Sequence, residues 1–161
     1  MILIEDDQSV KRLNQLLGFS LEGHQYALYL SVIDKIVRVV EVTPLPKGPE
    51  IVLGVVNVHG VILPVVNIRK RFGLPERSIH LSDQLIIANT PSRPVALIVD
   101  AVSGVVERRE QEMIAAEKIL PGLEYIEGVI KFKDGMILIH DLNKVLSLEE
   151  ERALNEAMKK T

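Results

Sequence analysis

The sequence predicts a mainly β protein built as two similar small barrels packed together, with short helical turns and a C-terminal helix. Three observations carry this. Of the 161 residues, 58 are Val, Ile or Leu, and 37 of those are Val or Ile, β-branched side chains that fit a pleated sheet better than a helix. Several segments alternate apolar and polar residues around Gly- or Pro-containing turns. The chain also repeats itself. Gly54-Val55-Val56 matches Gly128-Val129-Ile130, Asn67-Ile68 matches Asp141-Leu142 and Lys70 matches Lys144, all 74 residues apart. Upstream, Ala27-Leu28 matches Ala96-Leu97 and Ile36-Val37 matches Val105-Val106, 69 residues apart. Constant spacing through glycine, cap and basic positions indicates a structural repeat rather than a coincidence of Val-rich strands.

The elements follow in chain order. Residues 1–15 read as a tail or a short helix, with Asp6, Asp7 and Ser9 ahead of Val10 and Leu13. Leu17, Phe19 and Leu21, then Tyr26, Leu28 and Leu30, alternate on either side of Gly23 and predict a hairpin. Residues 33–42 continue as strand. Pro44, Pro46 and Pro49 stiffen the next loop, since proline fixes φ and removes a ladder donor. Strands are expected at 51–58 and 61–66, joined by His59-Gly60, then a helical turn capped by Asn67 and ended by Gly73. After a polar stretch at 75–83 come strands at 84–88 and 95–106, then a hairpin of 128–132 and 136–140 around Lys133-Asp134-Gly135. Asp141 caps a further turn. Ser147 and Glu150 have the spacing of a capping box, so a terminal helix is expected to start at 148 and run to about 159, and 149–161 is set apart as the C-terminal helix segment. Half a chain of this size buries little of its surface, so the two barrels should share an apolar face and fold as one unit spanning 16–148.

Composition excludes several kinds of function. The chain has no cysteine, hence no disulfide framework, thiolate metal site, iron–sulfur cluster or thiol nucleophile. The net charge of −3 lacks the basic footprint that nucleic-acid backbones select. The start is acidic after three apolar residues, the reverse of a secretory leader. No apolar run approaches the roughly 18 residues of a spanning helix. A cytoplasmic protein without direct membrane insertion is expected.

Catalytic constellations are missing. His24, His59, His80 and His140 are widely spaced, without metal-ligand spacing, and three of them read as turn or surface residues. No catalytic site, metal or cofactor is therefore assigned. Asp100, inside the apolar run 97–102, either serves as an acid or base with a raised pKa, or caps a strand end or hydrogen-bonds backbone. The basic runs Arg69-Lys70-Arg71 and Arg108-Arg109 read as solvated faces. A small-ligand or oligonucleotide-binding barrel pair, and a hydrolase built around Asp100, are the readings these residues leave open.

Tyr26-Ala27-Leu28, Thr43-Pro44-Leu45-Pro46 and the stretch Leu53-Gly54-Val55-Val56-Asn57-Val58-His59-Gly60-Val61-Ile62-Leu63-Pro64-Val65-Val66-Asn67-Ile68-Arg69 resemble the first block of the CheW family, the coupling proteins of bacterial chemotaxis. Ala96-Leu97-Ile98-Val99-Asp100-Ala101-Val102 is similar to the second block. Gly128-Val129-Ile130 with Ile137-Leu138-Ile139-His140-Asp141-Leu142 is similar to the third. The resemblance covers residues 16–148. It implies two five-stranded barrels and a non-enzymatic adaptor joining the cytoplasmic tips of chemoreceptors to a histidine autokinase. It also implies that Asn57, His59 and Gly60 sit on the coupling turn, and that Ile33, Ile86, Val99 and Val102 line a groove receiving receptor helices. Two positions depart from the family: His59 stands where an arginine is usual, and Lys35 where many members carry glutamate.

Overall fold

The computed structural model describes residues 13–115, 126–132 and 135–159. The first strand, β1 (Leu13–Leu21), begins three residues inside the segment expected as a tail; the rest of that segment, and Lys133 and Asp134, lie outside the described residues. β1 turns into β2 (His24–Tyr29) through Glu22 and Gly23, both at positive φ, the backbone of a tight hairpin. β3 (Ile33–Arg38), β4 (Val52–Val58) and β5 (Val61–Val66) follow, then the helical turn α1 (Ile68–Arg71). Asn67 caps α1 by accepting from the Lys70 amide at 3.2 Å. β6 (Gln84–Asn89), β7 (Pro94–Val99) and β8 (Ala101–Arg109) come next. β9 (Met113–Ala115), a strand the sequence does not announce, precedes β10 (Ile126–Phe132) and β11 (Gly135–His140). The chain ends in α2 (Leu148–Lys159). There Ser147 and Glu150 form the expected capping box: the Glu150 amide donates to Ser147 Oγ at 3.1 Å and the Ser147 amide to Glu150 Oε1 at 2.7 Å.

Two sheets result, one ordered β8-β1-β2-β11-β10-β9 and the other β3-β6-β7-β5-β4. The repeat makes them equivalent strand by strand: β3 corresponds to β8, β1 to β6, β2 to β7, β5 to β11 and β4 to β10. The correspondence extends to pairing. β5 runs parallel to β7 with Val65 opposite Ala96, and β11 runs parallel to β2 with Ile139 opposite Ala27. Both copies carry an irregular register just before the repeated glycine, between Val52 and Gly54 and between Ile126 and Gly128.

One expectation needs revision. The sheets are not the two halves of the chain. Each repeat contributes its first two strands to one sheet and its remaining strands, three from the first repeat and four from the second, to the other, so both sheets contain strands from both repeats. The chain crosses between sheets at residues 30–32 and again at Asp100, which splits the expected strand 95–106 into β7 and β8.

Both sheets curl. The edge strands β8 and β9 of the first are joined by only three residues, 110–112, so its edges must approach each other. In the second, residues 39–43 leave the β3 edge and reach β4 at the opposite edge. There the Thr43 and Val55 amides exchange hydrogen bonds of 2.8 and 2.7 Å with each other's carbonyl.

Three apolar clusters follow from this geometry. One sheet encloses Val56, Leu63, Val65, Leu85, Ile87 and Ala96. The other encloses Leu16, Ala27, Ile130, Ile137 and Ile139, the positions related by the repeat. The largest cluster lies between the sheets. It joins Leu17, Phe19 and Leu28 to Ile86, Leu97 and Val99, and is covered by Leu142, Val145, Leu146 and Leu154 of the C-terminal region. The shared core is thus larger than either interior. No helix among the described residues is long and apolar enough to cross a membrane.

Candidate functional site

The β4–β5 connection has only two residues, with Val58 paired to Val61. A two-residue hairpin matching the sheet twist needs φ > 0 at both. His59 adopts φ 51° and Gly60 φ 86°; histidine is among the few side chains that tolerate this region. Asn57 Oδ1 accepts from the Gly60 amide at 2.8 Å and locks the turn. Asn57, His59, Val61 and Ile62 therefore project into solvent from a rigid hairpin. The structure thus brings together Asn57, His59 and Gly60.

The expected groove residues separate into two kinds. Ile33 opens β3 and Val102 lies at the start of β8. They are equivalent through the 69-residue repeat, and each is half-buried against the shared core where the chain crosses between sheets. Lys35 is exposed on β3, opposite Ile87. Ile86 and Val99, in contrast, are both 0% exposed inside the shared core. Neither therefore offers surface to a partner, contrary to expectation, because β6 and β7 are central strands buried on both faces. Replacing either by aspartate places an unpaired charge in a packed interior. Thermal or urea unfolding of Ile86→Asp and Val99→Asp should show a loss on the order of 3–5 kcal/mol; melts matching the parent chain would return these side chains to the surface.

Asp100 does not carry the raised pKa expected of an acid or base in an apolar strand. Its Oδ1 accepts from Arg69 Nη2 and from Arg77 Nη2, each at 2.5 Å, and its Oδ2 accepts from the Glu22 amide at 2.9 Å. Burial alone would raise its pKa, but the hydrogen bonds from Arg69, the Glu22 amide and Arg77 together hold it below the usual carboxylate range. Arg69, read from the sequence as part of a solvated basic run, is buried and also pairs with Glu22. Arg77 grips Asp83 through two hydrogen bonds of 2.7 and 3.0 Å. Asp83, only 2% exposed, further accepts from the His80 amide at 2.8 Å. This network ties the β1–β2 turn, α1, the 73–83 loop and the β7–β8 joint together. Neither the short basic run nor an isolated aspartate in an apolar strand announces it.

Desolvation opposes ionisation of Asp83 and Glu150 as well, yet Arg77 and Arg71 respectively, with backbone amides, bring both below the ordinary range. Folded-state pKa values below the unfolded values mean stabilisation that is complete above about pH 4–5 and is lost as pH falls through the lower folded values. Glu127 has the opposite sign, raised first by burial and then by Asp141, and offsets part of that loss. The melting temperature should hold steady from pH 7 to about 5 and drop below about 4, less steeply in Asp83→Asn. A drop of equal steepness in that variant would remove Asp83 from the account.

Of the four histidines, His24, His59 and His80 are exposed, whereas His140 is buried and stacks on Phe72 with centroids 3.7 Å apart. Exposed apolar side chains also recur at equivalent positions of the two sheets: Ile36 with Val105 on β3 and β8, and Ile62 with Met136 on β5 and β11.

Residues 15–150 match the family model of the CheW-like domain. The chain is 29% identical over 146 residues to the chemotaxis protein CheW of Bacillus subtilis, covering 89% of this chain and 94% of that protein. It is 27% identical over 146 residues to that of Treponema pallidum, covering 87% and 86%. The crystal structure of the scaffolding protein TtCheW from Thermoanaerobacter tengcongensis superposes with a TM-score of 0.76 at 29% identity, over 85% of this chain and 94% of that one.

Proposed function

The chain belongs to the CheW-like domain family, and from that premise we propose that it is a chemotaxis coupling adaptor acting by binding alone, in the cytoplasm. Its partners are the tips of chemoreceptors and a histidine autokinase. Residues 16–148 form the adaptor unit, completed by the C-terminal segment 149–161 that carries most of α2.

The observation that most supports an adaptor is the equivalence of the two sheets. Each presents the same kind of exposed apolar positions, Ile36 and Ile62 on one and Val105 and Met136 on the other. One small rigid body thus carries two separate binding faces, as a connector must. Exposed aliphatic side chains of this kind serve protein–protein contact rather than catalysis. Asp100, the one acid weighed for chemistry, has both oxygens committed to Arg69, Arg77 and the Glu22 amide.

Within this reading, Asn57, His59 and Gly60 present the coupling turn. Ile33 and Val102 line the receptor groove, with Lys35 beside them on β3 and with Ile86 and Val99 as the buried support beneath. His59 presents an imidazole on this turn, where the family usually carries the guanidinium of an arginine. The chain immobilised as bait in a cytoplasmic extract of its own organism should retain a histidine kinase and a chemoreceptor. Recovery of neither contradicts the proposal.

A further inference from the structure

Leu81 is 96% exposed, the most exposed of the large apolar side chains described, yet it stands on a loop held firmly in place. Two residues on, Asp83 is fixed by Arg77 and the His80 amide, and its own amide donates to the His80 carbonyl at 3.0 Å. Arg77 is fixed in turn by Asp100. A buried ion network thus holds an aliphatic side chain out in water, where folding gains nothing from it.

Beside Leu81 lies an open concavity of about 370 Å³, formed with Arg38, Ser82, Asp83 and Gln84. Its charges are two. Asp83 is consumed by Arg77, whereas Arg38, exposed at the end of β3, makes no ion pair among the described residues. The concavity therefore offers an aliphatic surface beside one unengaged cation, which suits an aliphatic side chain neighboured by a carboxylate. It is also continuous with the receptor groove. Gln84 lies opposite both Arg38 and Val99, and its Oε1 accepts from the Val102 amide at 2.8 Å. Ile36, two residues before Arg38 on the same face of β3, is exposed between them.

We propose that Leu81 and Arg38 form an end anchor of the groove, taking an aliphatic side chain and an adjacent carboxylate of the receptor helix that lies on Ile33 and Val102. This rests on the adaptor reading above and adds a contact that fixes how far along the groove the helix reaches and which residues it must carry there. A helical partner satisfies both contacts from one face, since residues three and four apart lie side by side. Aliphatic contact with the raised Leu81 supplies burial, and the Arg38–carboxylate pair supplies orientation.

The test is a titration of the full chain with a chemoreceptor signalling-tip fragment encoded in the same genome, at low and high salt, with melts of every variant. Leu81→Ser and Arg38→Glu should each weaken binding about fivefold to tenfold with unchanged melting temperature, because both side chains are exposed. Arg38→Lys should retain most of the affinity, and Arg38→Glu should flatten the salt dependence. Val102→Ser, inside the groove itself, reports on the adaptor reading separately. If Val102→Ser weakens binding while Leu81→Ser and Arg38→Glu do not, the end anchor is wrong and the groove stands. If the unmodified chain fails to bind the fragment, the groove and its anchor fall together. A lowered melting temperature for Leu81→Ser would make Leu81 a structural residue and overturn the anchor as well.

Discussion

Residues 1–75 and residues 76–161, expressed separately, should each be unfolded or aggregated, and mixed they should recover the β-sheet signal of the whole chain. The usual argument from size points the same way, since a unit of some 80 residues is marginal on its own. The topology makes it far stronger. A cut after residue 75 leaves β1 and β2 without β8, β10 and β11, and leaves β6 and β7 without β3 and β5. Neither fragment retains a complete sheet, and each exposes its side of the shared core around Leu17, Leu28, Ile86 and Leu97. The unpaired edges are templates for aggregation. Circular dichroism of each half and of the equimolar mixture reads the outcome. A cooperative, monomeric melt from either half alone would mean that each repeat builds its own sheet.

Gly54→Ala should be among the most damaging single substitutions. A Cβ at Gly54 would stand 2.8 Å from the Thr43 carbonyl carbon and collide with its oxygen, at the bridge that brings residues 39–43 onto β4. Backbone cannot swing aside as a flexible side chain can, so either the bridge or the β4 register must give. A loss of about 2–4 kcal/mol is expected, or about 5–15 °C in melting temperature for a chain of this length. The repeat supplies the control. Gly128 holds the equivalent position, but a Cβ there meets the Ile114 carbonyl oxygen at 3.3 Å, so Gly128→Ala should cost clearly less. Equal melting temperatures for the two variants would show that the Thr43 bridge does not close the second sheet.

The sequence announces strands, turns and the repeat because those depend on local chemistry. Alternation around Gly23 and Gly60, the caps at Asn67 and Ser147 and the β-branched runs all act within a few residues. The repeat spacing identifies which strands are equivalent. It does not say which sheet each strand joins, because crossing between sheets at residues 30–32 and at Asp100 leaves the apolar pattern unbroken. The same physics explains Ile86 and Val99. β6 and β7 are central strands covered on both faces, so Ile86 and Val99 read as apolar whether they face a sheet interior, the shared core or a partner. Only edge strands reveal their faces: β8 alternates between exposed and half-buried along its length. Val102 on that strand and Ile33 at the start of β3 keep accessible surface. The inward course of Arg69 is hidden in the sequence for a related reason. Three consecutive basic residues on one helical turn point in three directions, and one of them points inward, to Glu22 and Asp100.

An adaptor must hold two partners at once, through separate faces. Light scattering coupled to gel filtration, on the chain mixed with its chemoreceptor tip fragment and its histidine kinase, tests it most directly. A single ternary complex is expected, in which receptor and kinase co-elute only when the chain is present. Mutually exclusive binding, with receptor displacing kinase from the chain, or co-elution of receptor and kinase without it, would contradict the adaptor role.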